Sequence, residues 1–306
     1  MLWLIITLVA YFTLAIVYLI DKHLLTSNIT DPKIYTIYVS ILSLSIILLA
    51  PFTHFYLPSF NILMLCFAAG ISFTACLYFF YKGVKFFEVS RIVPAIGALE
   101  PVLVISLIYL ISFGAEKIPL SVLIAFIILI IGSVLMTYKW EKKITWQSLK
   151  ISFLTAFAFA LFCVLSKYAY FKLPFLNALI WMKIGGVLPA LAILIFSLKT
   201  RKEIKQNLQA TNFPQKKKGL FVLNQIFGAG SGLLQNWAIA LAPIIYLPVI
   251  NALQGIQYVF LLIFTIFLSL KSPQILKEEI SRKTLLQKIF GIIFIGVGLA
   301  IIAFFK

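Results

Sequence analysis

The heptapeptide Pro94-Ala-Ile-Gly-Ala-Leu-Glu100 recurs later in the chain as Pro248-Val-Ile-Asn-Ala-Leu-Gln254, with four of the seven residues identical. Each copy lies within the fourth apolar block of one half of the chain. An apolar block of about 20 residues is long enough to cross a bilayer as a helix. The duplication therefore predicts two related halves built from membrane-spanning helices.

The composition also indicates a membrane protein. Of 306 residues, 62% are hydrophobic and 11% are charged, and the mean hydropathy is +1.08. A soluble globular domain is about half apolar and about a quarter charged, so that class is excluded. The net charge of +17 is explained by basic residues flanking membrane spans, and nucleic-acid binding is not expected.

The predicted fold is an all-α integral membrane protein with ten transmembrane helices in two five-helix repeats. Residues 1–138 form the first repeat, 139–149 a charged linker and 150–306 the second repeat. Charges, Pro and Gly separate the apolar blocks. The ten spans are expected at roughly 2–20, 34–50, 58–81, 86–113, 118–138, 150–171, 174–197, 219–241, 243–270 and 285–305.

The first and fifth spans of the two halves also correspond. Because each half has an odd number of spans, the second half enters the membrane from the opposite side, which makes the repeats inverted. Inverted repeats are typical of secondary transporters with a substrate site near the midplane. In the fifth spans, small residues seven apart would let another backbone approach closely. The matched pairs are Phe12 with Phe157, Ala15 with Ala160, Lys22 with Lys167, Ala125 with Gly291, and Gly132 with Gly298.

These features resemble the drug/metabolite transporter superfamily, in particular its ten-span branch made of two EamA domains. The resemblance covers essentially the whole chain. It rests on the small-residue and lysine pattern that closes the first span of each half and on the glycine spacing of the fifth spans. It also rests on Gly83-Val84, followed eleven residues later by Pro94, and on Phe113-Gly-Ala-Glu116.

The resemblance implies a secondary, non-ATP-driven carrier of a small organic metabolite or drug in the plasma membrane, with export favoured. Alternating access, coupling to a proton or ion, and a monomeric or homodimeric state are expected with it. The sequence departs from the family in one basic pair. Lys183 lies in the second span of the second half, whereas Ser40 and Ile41 occupy the corresponding stretch of the first half.

Glu100 and Lys183 are the leading candidates for substrate binding. A charged side chain near the middle of a span costs about 2.5 to 3.5 kcal/mol on insertion scales, and such a residue is commonly functional. Two structural alternatives exist for Glu100. It could form an ion pair with Lys183, or it could be a protonated, hydrogen-bonded carboxyl group.

Amide side chains in the second half are further candidates. Asn251, Gln254 and Tyr258 share one helix face and Gln257 lies beside it, so this stripe could bind a polar substrate or join helices. Trp237 is a candidate for stacking on the substrate. Arg91 and Lys167 lie nearer span ends and, with Tyr258, form the second rank of candidates.

Neither a metal site nor a cofactor site is expected. Three cysteines in apolar blocks and two separated histidines do not make a zinc pattern. An enzymatic role is not expected, because clustered acids or a nucleophile with a base are missing from the sequence. The alternatives to a carrier are a membrane-embedded lipid-modifying enzyme and a nontransporting receptor or scaffold. Expected partners are a small-molecule substrate and the lipid bilayer.

The distribution of basic residues predicts the orientation in the membrane. Loops after odd-numbered spans carry 20 Lys and Arg residues, whereas the other side, with the tail, carries three. The positive-inside rule places the odd-numbered loops in the cytoplasm and both termini outside. Carriers of this family usually have both termini inside, so the charge count opposes the family's usual arrangement.

Overall fold

The protein is described by a computed structural model, and the described residues are almost all helical, with no strand among them. The described residues are 2–27, 31–87, 89–113, 119–137, 146–209, 215–257, 259–260, 263–264 and 282–304.

The first half forms five α-helices and a nine-residue 3₁₀ helix. Asp31 caps α2, because its carboxylate accepts a 2.8 Å hydrogen bond from the backbone N–H of Lys33. Pro32 follows at the first helical position, where its missing N–H has no cost. The helices are α1 (Leu2–Ser27), α2 (Pro32–Ser43), the 3₁₀ helix (Leu44–Phe52), α3 (Phe60–Phe86), α4 (Val89–Ile111) and α5 (Leu120–Thr137).

The described residues of the second half form six α-helices and a three-residue 3₁₀ turn, and one of these helices, α8, falls within a predicted hydrophilic loop. The Arg201 guanidinium group of α8 donates hydrogen bonds to the carbonyl groups of Leu194 and Ile195 at the end of α7. The helices are α6 (Trp146–Lys172), α7 (Phe175–Phe196), α8 (Leu198–Gln209), α9 (Gln215–Leu241), a 3₁₀ turn (Ile244–Tyr246), α10 (Leu247–Ala252) and α11 (Arg282–Phe304).

Within the described residues, five helical segments are long and apolar enough to cross a membrane. This finding is consistent with the predicted integral membrane protein. Four of the other predicted spans contain shorter apolar helical stretches among the described residues, so ten crossings stay a prediction. These stretches are Ala95–Ile111, Leu123–Gly132, Ile244–Gln257 and Ile289–Gly298. The five segments are Leu2–Asp21, Pro32–Phe52, Phe60–Phe86, Trp146–Lys172 and Phe175–Phe196.

The helices pack in pairs that join the two halves. Helix α1 packs on α9, α3 packs on α6 and α7, α4 packs on α6 and α10, and α5 packs on α11. The hydroxyl group of Tyr11 in α1 donates a 2.9 Å hydrogen bond to the carbonyl oxygen of Ile250 in α10. The main core therefore lies between the halves rather than inside either one.

Glycines set the distance between α3 and α7. A Cβ atom on Gly70 would lie 1.9 Å from the carbonyl oxygen of Met182, and one on Gly185 would lie 2.5 Å from the Cα atom of Phe67. The Thr74 hydroxyl group donates a 2.5 Å hydrogen bond to the carbonyl oxygen of Gly186. No larger side chain fits this contact, which we call the α3–α7 seam.

The small residues matched between the fifth spans also lie at a helix contact. A Cβ atom on Gly132 of α5 would lie 2.9 Å from the carbonyl oxygen of Gly291 in α11. A Cβ atom on Gly298 would lie 3.2 Å from the carbonyl oxygen of Ala125. The predicted role of these residues in close backbone approach is confirmed, and α5 and α11 pack antiparallel.

Candidate functional site

The structure brings the duplicated heptapeptides together. The copy ending at Glu100 lies in α4, and the copy ending at Gln254 runs from α10 into a helical segment at 254–257, after a turn at Leu253. Helices α4 and α10 are in contact. The side chains of Glu100 and Gln254 are 2% and 9% exposed, and both line one cavity.

Asn251 and Gln257 are fully buried close to these residues. The Sγ atom of Cys163 donates to the Oδ1 atom of Asn251 at 3.6 Å, and the amide of Gln257 lies beside the Tyr18 hydroxyl group. We call Glu100, Asn251, Gln254 and Gln257 the central polar cluster. It contains four of the six leading candidates from the sequence.

The central polar cluster has unsatisfied hydrogen-bonding atoms. Across the described part of the chain, no partner of normal geometry is found for Glu100 Oε1, Gln254 Oε1, Asn251 Nδ2 or either amide atom of Gln257. A buried polar group without a partner costs about 1–3 kcal/mol. Native proteins leave few such groups, so this concentration indicates a place where a ligand or water supplies the missing bonds.

The cavity that reaches Glu100 has a volume of about 560 Å³. That volume lies within the range of about 300–1,000 Å³ usual for small-molecule sites. Its walls come from α1, α2, the 3₁₀ helix, α3, α4, α6, α7 and α9, and therefore from both halves. Some lining residues are exposed, so the cavity reaches the surface near α2, the start of the 3₁₀ helix and α9. These residues are Leu42, Ser45, Val222, Ile226 and Ala229.

Lys183 also lines this cavity, from α7. Its Nζ atom lies 4.3 Å from the centroid of the Phe73 ring. Among the described residues no carboxylate lies within 4.0 Å of it, so the ion pair with Glu100, considered as a structural alternative, is not formed. Lys183 and Ser40, the basic residue and its counterpart, both line an adjoining cavity of about 20 Å³.

Asp21 is a cavity residue that the sequence analysis did not identify. It is 4% exposed at the cavity wall, where its Oδ1 atom accepts hydrogen bonds from the Tyr35 hydroxyl group and, at 2.7 Å, from the Asn224 side chain. The sequence places Asp21 directly after the first apolar block, which is typical of a loop residue. Its burial follows from partners in α2 and α9, which are distant in sequence.

Other predicted candidates lie elsewhere. Lys167 is buried, donates a 2.8 Å hydrogen bond to the carbonyl oxygen of Ala240 near the end of α9, and lies 4.6 Å from the Phe171 ring centroid. Trp237 is 43% exposed. Neither residue is among those that line the cavity. Tyr258 and the side chain of Arg91 lie outside the described residues.

The described residues do not bring together three His, Cys, Asp or Glu side chains as a metal site would require. The site instead combines two carboxylates, one ammonium group and several amides in an apolar enclosure. Such a set can bind a polar or charged organic molecule by hydrogen bonds and charge. Tyr18, Gln225 and Gln235, which also line the cavity, add to these donors and acceptors.

Comparisons with known proteins support the fold only. No family model matches the chain, and no curated protein matches it. A solved structure described only as the crystal structure of a protein has a TM-score of 0.65 and 13% sequence identity. The similarity covers 98% of this chain and 94% of that one, so the helix arrangement described above also occurs in an experimentally determined structure.

Proposed function

We propose that this protein is a secondary transporter of a small organic metabolite or drug, with its substrate site at the central polar cluster. The proposal rests on the cavity of about 560 Å³, whose walls come from both halves of this apolar helical chain. Asp21, Glu100 and Lys183 line this cavity. Ionisable side chains at membrane depth usually mark a substrate or ion pathway.

Inverted repeats are part of the proposal, and the contact between α5 and α11 supports them. The sequence matches Ala125 with Gly291 and Gly132 with Gly298, whereas the contacts join Gly132 to Gly291 and Ala125 to Gly298. Exchanging each residue for its match converts one contact into the other. Such an isologous contact is expected of a two-fold axis. Because the helices are antiparallel, that axis would lie in the membrane plane.

Packing near the heptapeptides is consistent with the same axis. The match of Phe12 with Phe157 relates Tyr11 to Ala156, and the match of the heptapeptides relates Ile250 to Ile96. Tyr11 is hydrogen-bonded to the Ile250 carbonyl group. Ile96 and Ala156 belong to one buried apolar cluster. Related positions therefore lie close together on both sides of the proposed axis.

One pair of contacts differs between the halves, and the difference suggests how the carrier works. Under the proposed symmetry, α3 matches α9 and α7 matches α2. Helices α3 and α7 pack tightly at their seam, whereas α2 and α9 approach mainly where the rings of Tyr35 and Phe221 meet at 5.7 Å, and the cavity opens between them. In alternating access, the second state would close α2 against α9 and open the α3–α7 seam.

The opening lies on the side of the basic loops. The cavity is lined by Glu100 and also by Asp21 in the C-terminal part of α1, Tyr81 near the end of α3 and Val222 in the N-terminal part of α9. These helix ends adjoin the loops that the charge count assigns to the cytoplasm. We therefore propose that this conformation faces the cytoplasm and that the protein exports its substrate across the plasma membrane.

Flux in proteoliposomes tests the proposal directly. Metabolites that raise the melting temperature of the purified protein are selected first, because binding stabilises the folded state by mass action. A selected metabolite should cross liposomes that contain the protein, and the flux should fall strongly in Glu100→Gln. Glu203→Gln, in α8 and outside the cavity, is the control and should transport normally.

The same experiment separates the carrier from its alternatives. A receptor or scaffold would bind the metabolite without moving it, so stabilisation with no flux would overturn the proposal. A lipid-modifying enzyme would change the lipids of the liposomes, which mass spectrometry of the recovered lipid would show. Membership of the EamA-type drug/metabolite transporters is proposed on the motifs described above.

A further inference from the structure

The deep end of the cavity has acceptors that lack donors. Glu100 Oε1 and Gln254 Oε1 are buried acceptors of residues that line the cavity, and neither finds a donor among the described residues. Tyr18, whose hydroxyl group can also accept a hydrogen bond, lines the same cavity. Three residues with oxygen acceptors, from α1, α4 and the segment after α10, therefore line one cavity.

The charges on the cavity wall are not balanced. Among its described lining residues, Asp21 and Glu100 carry carboxylates and Lys183 carries an ammonium group, which leaves one net negative charge when all three are ionised. Asp21 accepts two hydrogen bonds, from Tyr35 and Asn224. Glu100 has no counter-ion within the described chain. A monovalent cation beside Glu100 would make the site neutral.

We propose that the substrate is a primary organic amine, bound as its ammonium form with the N–H groups directed at Glu100, Gln254 and Tyr18. This inference rests on the proposed function, because it names the substrate class of the same site. A primary ammonium group has three N–H donors and no acceptor, which matches the three oxygens. A hydrogen bond between charged partners is about twice as strong as a neutral one.

The apolar wall indicates the rest of the molecule. Leu77, Phe80 and Phe159 also line the cavity, so they would contact a hydrocarbon or aromatic body. Tyr18 and Phe80 lie with ring centroids 5.0 Å apart, and aromatic faces also attract cations.

Lys183 limits the substrate to one positive charge. It lines the cavity from α7, whereas Glu100 lines it from α4, so the two charges are on different walls. The wall has one net negative charge when Asp21, Glu100 and Lys183 are all ionised, so a second ammonium group on the substrate would leave the site with one net positive charge. The site should therefore favour a monoamine over a diamine of similar length.

The test measures thermal stabilisation of the purified full-length protein in detergent and amine-free buffer. The probe is 2-phenylethylamine. The neutral analogue 2-phenylethanol tests whether the positive charge is needed. The quaternary analogue trimethyl(2-phenylethyl)ammonium keeps the charge and tests whether N–H groups are needed. Octylamine and 1,8-diaminooctane test the limit to one charge. We expect concentration-dependent stabilisation by both monoamines and at least about tenfold weaker apparent affinity for the other three compounds.

Variants locate the binding. Glu100→Gln should weaken 2-phenylethylamine binding at least about tenfold, and Glu203→Gln should leave it unchanged. Equal binding of the quaternary analogue would overturn the proposal, because that ion has no N–H group. Equal binding by Glu100→Gln, stabilisation by sodium chloride alone that equals the amine effect, or absence of any amine effect would overturn it too. The comparison of analogues uses the unsubstituted protein, so it stands even if Glu100→Gln does not fold.

Binding and transport can fail separately. Amine binding without flux in liposomes would refute the carrier and leave the amine site. Flux of another metabolite, with no amine binding, would support the carrier and refute the amine inference.

Discussion

Asp21 and Asn224 are joined by a 2.7 Å hydrogen bond although they lie 203 residues apart in sequence. The bond connects α1 of the first half with α9 of the second half, at the end of the cavity nearest the basic loops. Tyr35 of α2 donates to the same carboxylate oxygen. Three helices at the opening are therefore held through a single acidic side chain.

Removing the Asn224 amide should loosen this junction. Asn224→Ala takes one donor from a buried carboxylate, and a hydrogen bond to a charged group contributes about 1.5–3 kcal/mol. We expect a lower melting temperature and a lower unfolding midpoint in detergent. Ser72→Ala is the control, because the hydrogen bond that the structure gives this hydroxyl group among the described residues is to the Ala68 carbonyl group of its own helix, at 2.8 Å. Equal effects of the two substitutions would contradict the role assigned to Asn224.

The contact between α5 and α11 should not tolerate a methyl group. In Gly132→Ala the new Cβ atom would lie 2.9 Å from the Gly291 carbonyl oxygen, and crowding of this kind costs about 1–3 kcal/mol. Gly296→Ala, in α11, is the matched control, because no described atom lies within 4 Å of its new Cβ atom. Gly296→Ala should leave the free energy of unfolding unchanged or raise it by up to about 1 kcal/mol. Thermal unfolding in detergent measures both, and similar shifts would argue against close packing at Gly132.

Two lysines inside the bundle should respond oppositely to the same change. Lys167→Met removes the 2.8 Å hydrogen bond to the Ala240 carbonyl group, so stability should fall by about 1–3 kcal/mol while flux per folded molecule is kept. Lys183→Met removes a cation that has no ion pair in the described structure, so the melting temperature should not fall and flux should change. A drop in stability for Lys183→Met as large as that for Lys167→Met would assign Lys183 a structural role.

Labelling of introduced cysteines tests the orientation. Gln215→Cys lies at the start of α9, beside Lys216-Lys-Lys218, and should be protected from an impermeant thiol reagent in intact cells. Leu57→Cys, in the exposed loop before α3, lies on the opposite side and should react. The native cysteines are buried and provide the background. Labelling of Gln215→Cys alone would place both termini in the cytoplasm.

The helical membrane fold was predictable because its signals are local. Apolar blocks gave the five long spans, and the repeated Pro and Ala positions led to the heptapeptides that meet at Glu100 and Gln254. The glycine spacing also located the α5–α11 contact, since only small residues allow such a close approach.

The orientation of individual side chains was not predictable in the same way. In a membrane, both lipid and core are apolar, so a span that is hydrophobic all round does not reveal which face is buried. The sequence therefore predicts Trp237 at the site, whereas the structure leaves this side chain 43% exposed and outside the cavity lining. Asp21 was overlooked for a related reason. Its partners Tyr35 and Asn224 become neighbours only when α1, α2 and α9 have assembled.

The 3₁₀ helix Leu44–Phe52 has a consequence for the membrane that surrounds the protein. Nine residues of 3₁₀ helix rise about 18 Å, whereas nine residues of α-helix rise about 13.5 Å. The span Pro32–Phe52 is thus about 4.5 Å longer than a continuous α-helix of the same sequence. None of its nine described side chains is buried, so a change from 3₁₀ to α winding would disturb fewer buried contacts here than in the neighbouring helices. We therefore expect bilayer thickness to act on the cavity through this segment, because Ser45 and Ile46 form part of its wall.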